Sequence, residues 1–354
     1  MSRARPGGNV VFSKILIRAT NWVGDAVMSL PAIRAVHARF PAAEIVVLAR
    51  PWVADLYARE TGISRVIPYD AVSGFHDLSA KLRVARALRR EKFDCAILLQ
   101  NAFEAAAVAR LAGIPRRIGY ARDGRSMLLT DPVPVPRSSE IPRHERFYYL
   151  ELLRRAGLIE QIPPSDAIRL EGADAARASG AARFAQLNIA RPVIGVSPGA
   201  AYGTAKRWLP ERFAEAAIET ARAQRGSVAL FGSVGERELC ETVAQVVSHA
   251  GIHAHNLAGK TTLREFIELT AACQVFLTND SGAMHIASAL VVPTVAVFGA
   301  TDDSTTGPTG ALARVVREPV ECSPCLLREC PIDHRCMTRV PAARVAEVAL
   351  ELLR

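Results

Sequence analysis

Short apolar runs recur along the chain, each followed by a small or polar break and then by a longer stretch with helical spacing. The stretch from Val275 to Phe298 shows this unit most clearly. Val275-Phe276-Leu277-Thr278 has strand length and composition, and Asn279-Asp280-Ser281-Gly282 breaks it with turn chemistry and offers a helix N-cap. Ala283 to Leu290 has helical spacing, Pro293 stops it, and Thr294 to Phe298 is a second buried strand. Units of this kind build parallel sheets, and ligands sit where strands end and helices begin. A helix N-terminus offers unpaired N–H groups and a partial positive charge, so it suits a phosphate. The same grammar also serves as a plain βαβ turn.

The first half follows the same pattern. Lys14–Arg18 predicts a strand, Thr20–Asp25 a loop, and a helix starting at about Asp25 carries Val27, Leu30, Ile33, Val36 and Phe40 along one side. Pro41 closes it, and Glu44–Ala49 is the next strand. Further strands are predicted at Arg65–Tyr69 and Asp94–Leu99, with a basic amphipathic helix from Leu78 to Arg90 between them. The proline-dense region from Arg110 to Arg146 predicts mostly loop. After the linker-like Ile162-Pro163-Pro164-Ser165, an alanine-rich helix (Ala173 to Leu187) leads into a strand (Pro192–Ser197), a loop (Pro198–Trp208), a helix opened by Pro210, and a strand (Ser227–Phe231) ending in Gly232–Glu236. A terminal helix after Val340-Pro341 has one apolar face and is expected to dock.

At 354 residues the chain exceeds what one core usually serves. Two α/β domains are therefore expected, residues 1–170 and 171–354. No apolar run reaches the ~18 residues a membrane span needs. The basic N-terminus lacks a signal-peptide core, and residues 1–9 are expected to be a loose tail. Seven cysteines without an export signal suggest a reducing cytoplasm. The net charge of +9 points to an anionic partner. Nucleic acid is not expected, because helix–turn–helix, zinc-finger and interleaved aromatic patterns are missing. The loop after the first strand is not G-x-G-x-x-G, which speaks against a nicotinamide or flavin cofactor.

Three loops in the second half fall at predicted strand ends and read together as one nucleotide site. Pro198–Trp208 has small residues for close backbone approach and Lys206 to pair with phosphate. Glu236 suits ribose hydroxyls, and Ser281 and Gly282 at a helix start suit a diphosphate. Asp25, at a strand-to-helix junction, suits a base for a hydroxyl nucleophile, or equally a helix-capping carboxylate. His285 suits either a ligand role or a role in the core. Eight arginines face four acids between Arg110 and Arg146, so an anionic acceptor is expected there, or else a solvated basic face.

The residues Val23-Gly24-Asp25 with Leu30-Pro31-Ala32, then Ser197-Pro198-Gly199-Ala200-x-Tyr202-Gly203-x-Ala205-Lys206-Arg207-Trp208, then Thr278-Asn279-Asp280-Ser281-Gly282-x-x-His285, together resemble glycosyltransferase family 9. The likeness spans about Lys14 to Arg354 and keeps the order and spacing of the motifs. It implies a GT-B fold of two Rossmann-like domains facing across a cleft, the first for the acceptor and the second for the nucleotide-sugar. It implies a cytoplasmic Gram-negative enzyme, peripheral to the inner membrane and without a cofactor or metal. Such an enzyme moves L-glycero-D-manno-heptose from ADP-heptose, with inversion, onto the heptose of the lipopolysaccharide inner core.

On that resemblance Asp25 is the expected base. Ser197, Gly199, Gly203, Thr204, Lys206, Glu236, Asp280, Ser281, Gly282 and His285 are expected on the donor, and Arg117, Arg122 and Arg125 on the acceptor. Two alternatives stay open: another family 9 transferase, such as a heptosyltransferase of type I or III, and a non-catalytic nucleotide-sugar-binding protein on the same fold. Cys322-x2-Cys325-x4-Cys330-x5-Cys336, in a loop spanning residues 322–336, reads as structural thiols, a metal knuckle or a disulfide. The resemblance includes such a loop without making it catalytic.

Overall fold

The structure, a computed structural model, describes residues 11–71, 77–164 and 167–354. The expected N-terminal tail and Ser165 of the linker lie outside the described residues. The chain divides into two compact units, Met1–Ser165 and Asp166–Arg354.

The first unit runs β1 (Lys14–Arg18), α1 (Val23–Arg39), β2 (Glu44–Ala49), α2 (Pro51–Tyr57), β3 (Arg65–Pro68), α3 (Leu78–Glu91), β4 (Cys95–Leu98), α4 (Phe103–Leu111), β5 (Arg116–Tyr120), β6 (Asp131–Val133) and α5 (Arg146–Arg155). Its strands pair in parallel in the order β3-β2-β1-β4-β5-β6. β4 is buried throughout and β1 nearly so, as expected for strands covered on both faces, which read as continuous apolar runs. In register, Leu16 of β1 sits between Val46 and Ala96. The strand order reverses between β1 and β4, and the crevice at their C-terminal ends is where such sheets bind ligands.

The second unit runs α6 (Ala173–Gln186), β7 (Val193–Ser197), α7 (Pro210–Gln224), β8 (Ser227–Leu230), α8 (Arg237–His249), β9 (Ala254–Asn256), α9 (Leu263–Ala271), β10 (Val275–Asn279), α10 (Gly282–Ala289), β11 (Thr294–Val297), α11 (Asp303–Thr306), β12 (Ala313–Val316), α12 (Arg335–Thr338) and α13 (Ala342–Glu351). The order β12-β11-β10-β7-β8-β9 is again parallel, with the reversal between β7 and β10. α13 docks on α7 and β11 of its own unit, burying Val345, Ala346 and Ala349.

The structure departs from the expectations in three places. The first helix starts at Val23, so Asp25 is inside its first turn; Trp22 holds the cap position without a side-chain bond. The arginine-rich region contains β5 and β6, and Arg117 lies in β5 rather than in a loop. Its Arg-Arg-Ile-Gly-Tyr run hides a strand because charged side chains occupy the half-covered positions while Ile118 and Tyr120 are buried. Third, α2, α4, α5, α8, α9, α11 and α12 and the edge strands β9 and β12 fall where the sequence pattern predicts no element. In α5, Tyr149, Leu150 and Leu153 keep a helical spacing masked by the flanking arginines.

α6 packs on α9 so closely that a Cβ at Gly180 would lie 1.8 Å from the Glu268 carbonyl oxygen. Arg183 locks the same pair of helices, donating to Glu268 at 2.6 Å and to Glu265 at 3.0 Å. In a helix interior Gly→Ala ordinarily gains ~1 kcal/mol. Here the overlap is with backbone, and forcing helices apart costs about 1–3 kcal/mol or more. We therefore expect Gly180→Ala to lower the thermal midpoint. A raised midpoint would show that the helix contact is looser than described.

Candidate active site

In the second unit the three expected loops converge at the C-terminal ends of β7, β8 and β10. Asn279 joins two of them. Its carboxamide is fully buried, with Oδ1 accepting from the Trp208 amide at 2.9 Å and Nδ2 donating to the carbonyls of Pro198 at 2.8 Å and Gly199 at 3.4 Å. The Lys206 ammonium, in a single 3-10 turn (Thr204–Lys206), meets Asp280 Oδ2 at 2.5 Å. Thr301 donates to the same oxygen at 2.6 Å. Lys206 also lies 5.0 Å from the centroid of the Tyr202 ring. An ammonium has three donors, so Asp280 fixes Lys206 in place while two remain for a ligand.

Glu236 reaches the same place from the end of β8. Its Oε2 accepts from the Ser233 amide at 2.8 Å and hydroxyl at 2.9 Å, a reciprocal cap of the turn before α8. Its Oε1 lies over Gly199, where a Cβ would come within 1.9 Å. A side chain at 199 would push the Glu236 carboxylate out of this position. Gly203 meets backbone instead: a Cβ there would lie 2.1 Å from the Arg328 carbonyl oxygen.

Ser281 caps α10 in extended conformation, and its side chain makes no capping bond. Its hydroxyl lies 3.2 Å from that of Thr278 instead. The first turn of α10, from Gly282 on, thus carries the helix's positive end without a capping bond from Ser281. Ser197 ends β7 and is 6% exposed, Thr204 is exposed, and His285 is buried in the first turn of α10. These side chains can hold a diphosphate (Lys206 and the α10 amides) and a polyol hydroxyl (Glu236).

The cysteine-rich loop braces this site from the outside. The Arg328 carbonyl accepts from the Ala205 amide at 2.9 Å, His334 Nε2 contacts the Ala205 carbonyl at 3.0 Å, and the Tyr202 hydroxyl donates to the Leu326 carbonyl at 3.2 Å. All seven cysteines are free thiols. Burial pushes the Cys336 thiol up to about 11, and the neighbouring Cys322, Cys325 and Cys330 push it the same way. Among the described residues, no three or more His, Cys, Asp or Glu side chains are arranged to hold a metal ion.

In the first unit Asp25 follows β1 at the reversal of strand order. Its charge reaches Tyr57, Glu145 and Tyr149, and helps to raise all three. Burial first, then Asp25, lifts Glu145 to about 7, against a smaller opposing pull from Arg122. Glu145 precedes α5 and is a site carboxylate that sequence reasoning missed, because only the fold brings α5 onto α1. Thr301 and Arg328 were missed because they too reach the site only through the fold, although Thr301 follows a strand end and that position was a usable signal.

The three expected acceptor arginines are not equivalent. Arg125 is fully buried, donating to the carbonyls of Tyr120 at 2.9 Å and Gln100 and to Asn101 Oδ1 at 3.0 Å; burial lowers it to about 10. Arg117 donates to the carbonyls of Leu128 at 2.8 Å and Ile114. Both guanidinium groups tie loops to the sheet. Arg122 is more open, near the Tyr148 hydroxyl at 3.4 Å and Asp123 at 3.4 Å.

The profile of glycosyltransferase family 9 (heptosyltransferase) matches residues 81–335. The chain is 34% identical over 307 residues to lipopolysaccharide heptosyltransferase 2 of Escherichia coli, covering 86% of this chain and 88% of that one. It is 32% identical over 325 residues to lipooligosaccharide heptosyltransferase 2 of Haemophilus influenzae, with the same coverage. Among solved structures, E. coli ADP-heptose lps heptosyltransferase II superposes with a TM-score of 0.80 at 30% identity, over 96% of this chain and 98% of that one. With two doubly wound parallel units, three converging loops in the second, and relatives of this kind along nearly its whole length, the chain belongs to glycosyltransferase family 9, the heptosyltransferases.

Proposed function

We propose that the protein transfers L-glycero-D-manno-heptose from ADP-heptose, with inversion and without a metal ion, to the heptose on the inner core of lipopolysaccharide. The observation that carries this reading is the second unit's anion site, where Lys206 is fixed by Asp280 beside the uncapped start of α10. The heptosyltransferase 2 relatives support the choice of donor and acceptor. No helix among the described residues is long and apolar enough to cross a membrane. In this reading the acceptor is lipid-linked, and the enzyme meets it peripherally at the cytoplasmic face of the inner membrane.

Inversion takes one in-line displacement at the anomeric carbon, through an oxocarbenium-like transition state. Charge grows on the departing ADP. Lys206, Thr204 and the amides of Ser281 and Gly282 are placed to take it up, while Glu236 Oε1 holds ribose hydroxyls. Ser197 stands at the end of β7 beside the nucleotide, Gly199 admits the Glu236 carboxylate and Gly203 the Arg328 backbone, and Asp280 and the buried His285 keep the anion site in shape. Asp25 takes the proton from the acceptor hydroxyl. Arg122 is the acceptor-facing cation, and Arg117 and Arg125 hold the loops around it.

Asp25→Asn is expected to keep ADP-heptose affinity but to lose ~10²-fold or more in turnover, the usual scale of general-base catalysis. Steady-state kinetics with each substrate varied check this, and turnover like the wild type's removes Asp25 from the mechanism.

Lys206→Ala should lower both kcat and donor affinity, because the lost interaction strengthens as the diphosphate departs. An effect on acceptor KM alone would move the nucleotide site elsewhere. EDTA should leave the wild-type rate unchanged, and a collapse restored by Mg²⁺ would contradict the metal-free route.

Glu145 yields a pH signature. Its folded-state value of about 7 lies above the ordinary 4.5. Its contribution to stability is therefore full below about pH 4.5 and is lost as pH rises through about 7. Glu145→Gln should melt higher than wild type at pH 8, with the difference vanishing near pH 4.5. Parallel melting curves across that range would mean that the carboxylate is adequately solvated in the fold.

A further inference from the structure

The first unit also carries an apolar groove of about 550 Å³ between α3 and α4. Leu78 and Leu82 line it from α3, and Phe103, Ala107, Val108 and Leu111 from α4. Four of these large side chains stand well open to solvent, at 60% for Leu78, 40% for Leu82, 41% for Phe103 and 53% for Leu111. Contiguous apolar exposure of this kind marks a surface that something else covers. The charged groups in its wall, Lys81 and Glu104, pair with each other at 3.3 Å.

The surroundings are basic. Helical spacing puts Arg86 and Arg89 one and two turns beyond Leu82 on the same flank of α3, and both are exposed. A Cβ built on Gly113 would lie 3.5 Å from Arg89 Nε, which places that guanidinium just past the Leu111 end of α4. Arg110 is exposed in the last turn of α4. An apolar slot bordered at one end by three guanidinium groups has the complementarity of an amphiphile with an anionic head, in apolar width and in charge.

We propose that this groove is the membrane-docking site of the protein. One acyl chain of an anionic bilayer phospholipid enters between α3 and α4, and Arg86, Arg89 and Arg110 engage the head-group phosphates. The proposal deepens the membrane part of the reading above and rests on it. Nothing in it requires the groove residues to touch donor or acceptor sugars.

The test is co-sedimentation of the full chain with vesicles of phosphatidylethanolamine and phosphatidylglycerol, and with vesicles of phosphatidylcholine alone. Wild type should bind the anionic vesicles and scarcely the neutral ones. Leu82→Asp with Leu111→Asp should weaken anionic-vesicle binding about tenfold or more, since the apolar insertion is lost. Arg86→Gln with Arg89→Gln should weaken it by a similar factor and flatten its salt dependence. All four positions are exposed, and unchanged melting, together with unchanged turnover on a water-soluble deacylated acceptor, shows that the variants fold. If wild type ignores anionic vesicles, the membrane reading falls and the groove proposal falls with it. If wild type binds and both variants bind equally well, the groove proposal alone is overturned. A change in oligomeric state by light scattering, with vesicle binding intact, overturns it in favour of an interface between copies of this chain.

Discussion

The donor-side architecture depends on one buried carboxamide. Asn279 uses both donors and its acceptor inside the protein, tying the last residue of β10 to the loop that leaves β7 and to the amide of Trp208. Two backbone carbonyls and one amide would be orphaned without it, and each buried unsatisfied group costs about 1–3 kcal/mol. The order of this tie sets the position of Lys206, two residues before Trp208, and of Asp280, the residue after Asn279. The ion pair between them is therefore built by the backbone as much as by its own attraction. The cysteine-rich loop backs the same turn, through the Arg328 carbonyl and His334 against the backbone of Ala205.

The first unit repeats the topological logic with different chemistry. Its strand order also reverses beside the first strand, and Asp25 occupies the first turn of the helix that follows. Its environment is set by neighbours distant in sequence: a buried Tyr57, a buried Tyr149 and the raised carboxyl of Glu145. The Asp25 charge acts on all three in turn, helping to raise Tyr57, Glu145 and Tyr149. Arg125 shows the opposite use of charge. A fully buried guanidinium spends its donors on carbonyl oxygens and becomes a fastener for the β4 and β5 loops.

Much of this was legible in the chain itself. The alternation of apolar runs with helical stretches placed β1, β2, β4, β7, β8, β10 and β11, since strands buried on both faces show up as uninterrupted apolar runs. The three loops that converge in the second unit were legible because they follow such runs directly and have small, turn-forming residues. What stayed hidden was long-range or disguised. β5 opens with Arg116 and Arg117, which bond to Asp131 of β6 and to the carbonyls of Leu128 and Ile114, and α5 carries its buried residues between charged ones. Arg117 and Arg125 read as acceptor-binding cations because sequence does not show which carbonyls a guanidinium will meet. Glu145, Thr301 and His334 come to the site only through packing between elements far apart in the chain.

The central claim is that this chain adds one heptose to an inner core that already carries heptose. The most direct measurement is incubation with ADP-heptose and two defined acceptors, one inner-core oligosaccharide bearing a heptose and one lacking it, followed by mass analysis of each product. The account predicts a single added heptose on the first acceptor, release of ADP, and inverted anomeric configuration in the product. Transfer only to the heptose-free acceptor, or retention of configuration, would contradict it.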